Sequence, residues 1–196
     1  MIKRIFLSAS VPRVGRGNFH ESADPFLIQF AVRELLTVAL GRRQIVWGGH
    51  PAITPMIWAV CADLGLEYAK AVALFQSRFF SNEFPEENDN FTNLTVVDAV
   101  EGDRDKSLAR MRREMMSGSF HGAVFIGGME GVVDEYDLFK LLHPGAVVLP
   151  LYAPGGAARD LAVRLGVADD RLDFTRLFSD ALGIGTHEDR NQLESR

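Results

Sequence analysis

Six short apolar runs recur along the chain, at residues 4–8, 44–48, 71–75, 94–98, 123–127 and 146–150. Each is nearly continuous. A strand with one face in water alternates apolar and polar residues, whereas a strand covered on both faces does not. Between the runs lie longer segments with helical spacing, at 24–40, 51–64, 104–117 and 132–142. The first of these opens with Asp24 as an N-cap and Pro25 at the first helical position, and Gly41 ends it. Strands and helices alternating in this way specify an α/β domain: a doubly wound, mainly parallel sheet with helices on both faces. One such domain is expected over residues 1–182. Residues 183–196 are polar, without apolar period, and are expected to form a loose tail. Residues 79–93 form the longest irregular segment, acidic with aromatics at its ends, a pattern suited to a lid or an interface.

Charge narrows the partners. Lys plus Arg number 21 against 26 Asp plus Glu, a net charge of −5. A protein that coats nucleic acid presents a dominant basic face, so no nucleic-acid partner is expected. A small anion held at one local positive site remains open. The single cysteine, Cys61, lies in an apolar stretch and reads as a buried core thiol. No disulfide can form within the chain, which suits a reducing cytoplasm. The apolar run near the start is too short for a signal-peptide core or a membrane span. A cytoplasmic protein with no membrane contact is expected.

In open α/β sheets, ligands sit beyond the carboxyl ends of the strands. Three loops fall there. The first follows Ser8 and Ser10. It contains Gly15 and Gly17, but His20 stands where a dinucleotide fingerprint needs a third glycine. The second strand ends in Gly48, Gly49 and His50 instead of an acid, with Thr54 behind them, so a hydride-transferring enzyme is not indicated. The third loop reads Gly127, Gly128, Met129, Glu130, Gly131, with Asp134 and Glu135 just inside the next helix. Acids in a first helical turn gain about 0.3–1 kcal/mol from the helix dipole. That accounts for the acids but not for the glycines. Backbone N–H groups converging at such turns suit an anion. A carboxylate beside a bound phosphate suits chemistry at a sugar carbon.

Upstream, Arg110, Arg112 and Arg113 lie on one predicted helix, and Arg112 shares its side with Met115 and Met116. An arginine among apolar neighbours is a candidate fork for phosphate or carboxylate. His121 opens the fifth strand, at the end away from the site, and reads as structural. No metal is expected, because no CxxC, HExxH or carboxylate cluster with metal spacing occurs. No GxSxG is present to suggest a serine nucleophile. No cofactor is expected.

These residues resemble the SLOG superfamily, whose Lonely Guy branch comprises phosphoribohydrolases. That branch carries Arg-Lys-x-x-Met on a helix, followed by Pro-Gly-Gly-x-Gly-Thr-x-x-Glu. Here the counterparts are Arg112 to Met116 and Gly127 to Glu135. The glycines at 48 and 49 and the serine-bearing first strand also match, so the resemblance covers residues 2 to about 150. It implies catalytic roles for Arg112 and Glu135 and phosphate contacts at Gly128 and Gly131. Three motif positions differ: Gly127 replaces proline, Met129 replaces glycine and Val132 replaces threonine. These versions look more like a divergent SLOG branch linked to prokaryotic conflict and nucleotide-signalling systems. The resemblance therefore implies a sensor of a nucleotide or NAD-derived ligand, such as ADP-ribose. Its ligand-binding residues would be Ser8, Ser10, Gly48, Gly49, His50, Thr54, Gly127, Gly128, Met129, Glu130 and Gly131. The alternative is an N-glycosidic hydrolase using Glu135 and Arg112. A homodimer or higher homo-oligomer is expected in either case.

Overall fold

A computed structural model describes residues 3–185 and 187–190. Six parallel strands form one sheet: β1 (Arg4–Ser10), β2 (Gln44–Trp47), β3 (Val72–Ser77), β4 (Asn93–Val97), β5 (Gly122–Gly127) and β6 (Val147–Pro150), in the order β4-β3-β2-β1-β5-β6. The chain steps outward from β1 to β4 on one side, then returns to place β5 on the other side of β1. The topological switch point is therefore at β1, the expected doubly wound arrangement.

The continuous apolar runs are explained by two cores, one on each face. Ile5, Leu7, Ile45, Trp47, Val124 and Ile126 point into one core. There they meet α2 (Pro25–Ala39), α3 (Thr54–Leu64) and α7 (Phe174–Leu182). The alternate residues Phe6, Val46, Ala123 and Phe125 point the other way. They meet α4 (Arg104–Met115), α5 (Glu130–Leu142) and α6 (Gly156–Arg164). A short helix, α1 (Phe19–Ser22), precedes α2. Asp24 caps α2 by accepting from the Phe26 and Leu27 N–H groups at 2.9 and 3.1 Å. Cys61 is fully buried in the first core, and burial pushes its thiol up to about 12. The ring of His121 bonds the Leu182 carbonyl at 2.9 Å, tying β5 to α7.

Three features differ from the expected layout. Residues 156–164 and 174–182 are helical, where the sequence reading assigned no element. The irregular segment after β3 is partly ordered as two 3₁₀ stretches, Arg78–Glu83 and Glu86–Asn90. It carries the crossover from β3 to β4 without an α-helix, and Phe91 packs edge-on against Trp58 of α3, with ring centroids 5.9 Å apart. Beyond α7 the chain stays on the body as far as Arg190. Ile184 is buried, Glu188 pairs with Arg43, and the Arg190 guanidinium donates to the Thr37 and Leu40 carbonyls. The remainder of the expected loose tail, residue 186 and residues 191–196, lies outside the described residues. Among the described residues, no helix is long and apolar enough to cross a membrane.

Candidate functional site

The carboxyl ends of β1, β2 and β3 open into a cavity of about 420 Å³. At its β1 side, the Ser8 hydroxyl donates to Glu135 Oε2 at 2.6 Å. The other carboxylate oxygen accepts from Arg112 Nε at 3.2 Å. Arg112 also donates to Asp134 Oδ2 and to the Gly131 carbonyl, at 3.2 and 3.3 Å. Glu135 and Ser8 line the cavity, while Arg112 stands behind the carboxylate, 15% exposed. The chemistry of this chain of three is clear. A forked cation and a hydroxyl grip one carboxylate from both ends, fixing its plane. Each oxygen keeps a lone pair for a hydroxyl or a developing positive charge on the cavity side.

The second loop supplies the adjoining wall. Gly48, Gly49 and His50 all line the cavity. Thr54 does not reach it. Its hydroxyl is fully buried and accepts from the His50 N–H at 3.0 Å and from Trp47 Nε1 at 3.3 Å, so it holds the turn. The His50 ring accepts the Ala52 N–H at Nδ1, 3.2 Å away, which leaves the imidazole proton on Nε2. Burial, and then the charge of Arg13, press the His50 pKa down to about 4.

Ser10, at the end of β1, and Met129, in the third loop, line the cavity. Gly127 and Gly128 lie buried behind them and shape the turn. Gly128 has φ +79° and donates its N–H to the Ser10 carbonyl, while its own carbonyl accepts from Ala157 N–H at the start of α6. A Cβ on Gly128 would lie 2.1 Å from a Val132 methyl. Gly131 lies under Arg112, whose Nη2 would be 2.9 Å from any Cβ there. Glu130 is exposed and lies 3.8 Å from Arg16. The N-cap of α5 is Met129, which offers no side-chain acceptor. Met129 itself lines the cavity, so the start of this 13-residue helix, with its partial positive charge, lies at the cavity wall.

Several cavity residues were not singled out in the sequence. Arg13 and Arg16 come from the loop after β1, and Gln76 and Ser77 from the end of β3. Phe80, Glu83 and Phe84 come from the crossover after β3; the sequence marked that segment as a lid or an interface but named no residue in it. Arg104, Leu108 and Met111 come from α4, on the helix of the recognised arginine. Arg13 has no ion-pair partner among the described residues. Three arginines, Arg13, Arg16 and Arg104, line the cavity beside the carboxylates of Glu83 and Glu135; Arg16 and Arg104 pair with Glu130 and Asp105 just outside it, so Arg13 is the lining arginine left to meet an anion. Among the described residues, no group of three His, Cys, Asp or Glu side chains is placed to hold a metal ion.

The SLOG cluster3 family model matches residues 18–182. Comparisons with curated proteins and with solved structures give no match. The matched span runs from the N-cap of α1 to the end of α7 and takes in every described strand except β1. It includes Arg112, Glu135 and both glycine turns, and on that span the chain belongs to the SLOG cluster3 family.

Proposed function

We propose that the carboxyl-edge cavity binds a nucleotide or a NAD-derived nucleotide, and that the protein acts as a sensor of it. The observation that carries this reading is the cavity's pairing of opposite chemistries. Arg13, Arg16 and Met129, the N-cap of α5, line the cavity, and the anchored Glu135 lines it with them. The first group attracts phosphate. A carboxylate beside it accepts ribose hydroxyls. A volume of about 420 Å³ falls within the range of small-molecule sites, roughly 300–1,000 Å³. Family membership supports a nucleotide-related ligand at the level of class.

A second reading has its own observation. Glu135 is held at both oxygens, by Ser8 and by Arg112, as suits a carboxylate that steadies an oxocarbenium-like centre or directs water at a sugar carbon. This would make the protein an N-glycosidic hydrolase.

One experiment addresses both. The protein is screened by thermal shift against nucleoside monophosphates, NAD, ADP-ribose and cyclic nucleotides, and each stabilising ligand is recovered for mass spectrometry. The expected result is stabilisation by a ligand recovered intact. Recovery as free base plus sugar phosphate would establish the hydrolase instead, and Glu135→Gln should then cut turnover at least 100-fold while binding persists. No stabilisation by any member of the panel would remove the nucleotide site.

A further inference from the structure

We propose that Gln76 reads the base of the bound nucleotide, through an edge that presents a hydrogen-bond donor next to an acceptor; this rests on the nucleotide reading above. Gln76 is the penultimate residue of β3 and falls on the same face as Val72 and Leu74, which are both fully buried. The pattern calls for an aliphatic residue there. Instead a carboxamide occupies the position, only 8% exposed, on the wall of the cavity. No group among the described residues hydrogen-bonds to that carboxamide. Its amide atoms are not sealed off from the cavity, so their hydrogen bonds are left to whatever fills it.

The loop opposite is shaped around the same group. Gly49 has φ +72°, and a Cβ on it would lie 2.0 Å from Gln76 Nε2. The glycine leaves the space that the carboxamide fills. Gln76 is thereby held across the end of β2 with an N–H donor and a carbonyl acceptor available to the cavity.

A planar heterocycle completes this arrangement. A glutamine pairs with a base edge bearing adjacent donor and acceptor, as with the amino group and a ring nitrogen of adenine. The guanine edge at its ring N–H and carbonyl offers the same pair in reverse, and rotation of the carboxamide accommodates it. Phe80 and Phe84 line the cavity from the neighbouring crossover and offer aromatic faces for stacking. The base would then lie toward β3, and the sugar and phosphate toward Glu135 and α5.

The test is calorimetric titration of the full chain with AMP, GMP and ribose 5-phosphate. In the wild type, the preferred nucleotide should bind at least tenfold more tightly than ribose 5-phosphate. In Gln76→Leu that advantage should disappear, with ribose 5-phosphate affinity changed less than twofold. Thermal unfolding of ligand-free Gln76→Leu should be unchanged or higher, because the carboxamide faces the cavity and has no protein partner to lose. Gln76→Glu presents acceptors only, and should shift the AMP-to-GMP preference at least tenfold toward GMP, whose edge offers two adjacent donors. A wild type that binds nucleotide while Gln76→Leu binds it equally well would overturn the role of Gln76 and leave the nucleotide site standing. A lower unfolding temperature in ligand-free Gln76→Leu would make Gln76 structural. A wild type that binds none of the three would overturn the nucleotide reading and this inference with it.

Discussion

His50 illustrates how a residue's place in the fold sets its charge. Its pKa of about 4 arises first from burial and second from Arg13. The imidazole is therefore neutral at neutral pH and carries its proton on Nε2 at the cavity wall. The unfolded chain protonates His50 near the ordinary value of about 6.5. Between that value and about 4, the unfolded state binds a proton that the folded state refuses. The stabilisation is complete above pH 6.5 and is lost as the pH falls to about 4, amounting to about 3 kcal/mol at most. Urea unfolding of the wild type and of His50→Gln should therefore give stability curves that converge toward pH 4 and separate above it. Parallel curves would mean that His50 is not desolvated. The glycine turn after β5 has a comparable constraint in backbone form, since the φ of +79° at Gly128 and its contact with Val132 leave no room for a side chain.

At the scale of elements, the sequence was most legible where the signal is local. Asp24, Pro25 and Gly41 marked α2, and the hydrogen bonds from Phe26 and Leu27 to Asp24 are the physical form of that signal. Asp24→Ala should cost about 1 kcal/mol of stability, the usual worth of a lost N-cap, read by chemical denaturation; an unchanged midpoint would show that Pro25 alone sets the start. The strands were legible because two covered faces require continuous apolar runs. The helix α7 carries an equally readable period, Phe174, Phe178 and Leu182, all buried, but it follows the last strand, where the alternation that guided the reading has ended. The site was legible only in part. Glu135 and Arg112 lie on helices with motif spacing, so their proximity could be anticipated. Arg13, Gln76 and Phe84 carry no such spacing. They meet because parallel strands deliver their carboxyl ends to one edge, and which loop side chains turn inward there is a property of the assembled sheet. Thr54 shows the converse: it sat in a ligand-like stretch, yet its hydroxyl is consumed by the turn itself.

At the scale of the whole molecule, the segment after α7 closes the lower edge of the sheet. Arg43, just before β2, is 3% exposed. Its guanidinium forks onto both carboxylate oxygens of Glu188 and donates to the Gly183 carbonyl at 2.9 Å. Its Nε, also buried, has no partner, so the charge has little satisfaction to spare. Removing one partner of a fully buried ion pair costs about 3–5 kcal/mol; Glu188 is 23% exposed, so the cost here is smaller, although Arg43 is left buried without its partner. The span matched by the family model ends at residue 182, before Glu188. A chain cut after Leu182 keeps every strand and every catalytic candidate, yet it strands the Arg43 guanidinium and loses the burial of Ile184. Against a typical total stability of about 5–15 kcal/mol, that loss is large. The truncated chain should unfold at a markedly lower urea concentration than the full chain, and Glu188→Ala alone should reproduce most of the difference. Adding Arg43→Met to the truncated chain should restore part of the stability, since the buried charge is then gone. If truncation left the midpoint unchanged, the C-terminal segment would be an appendage and the domain would end with α7.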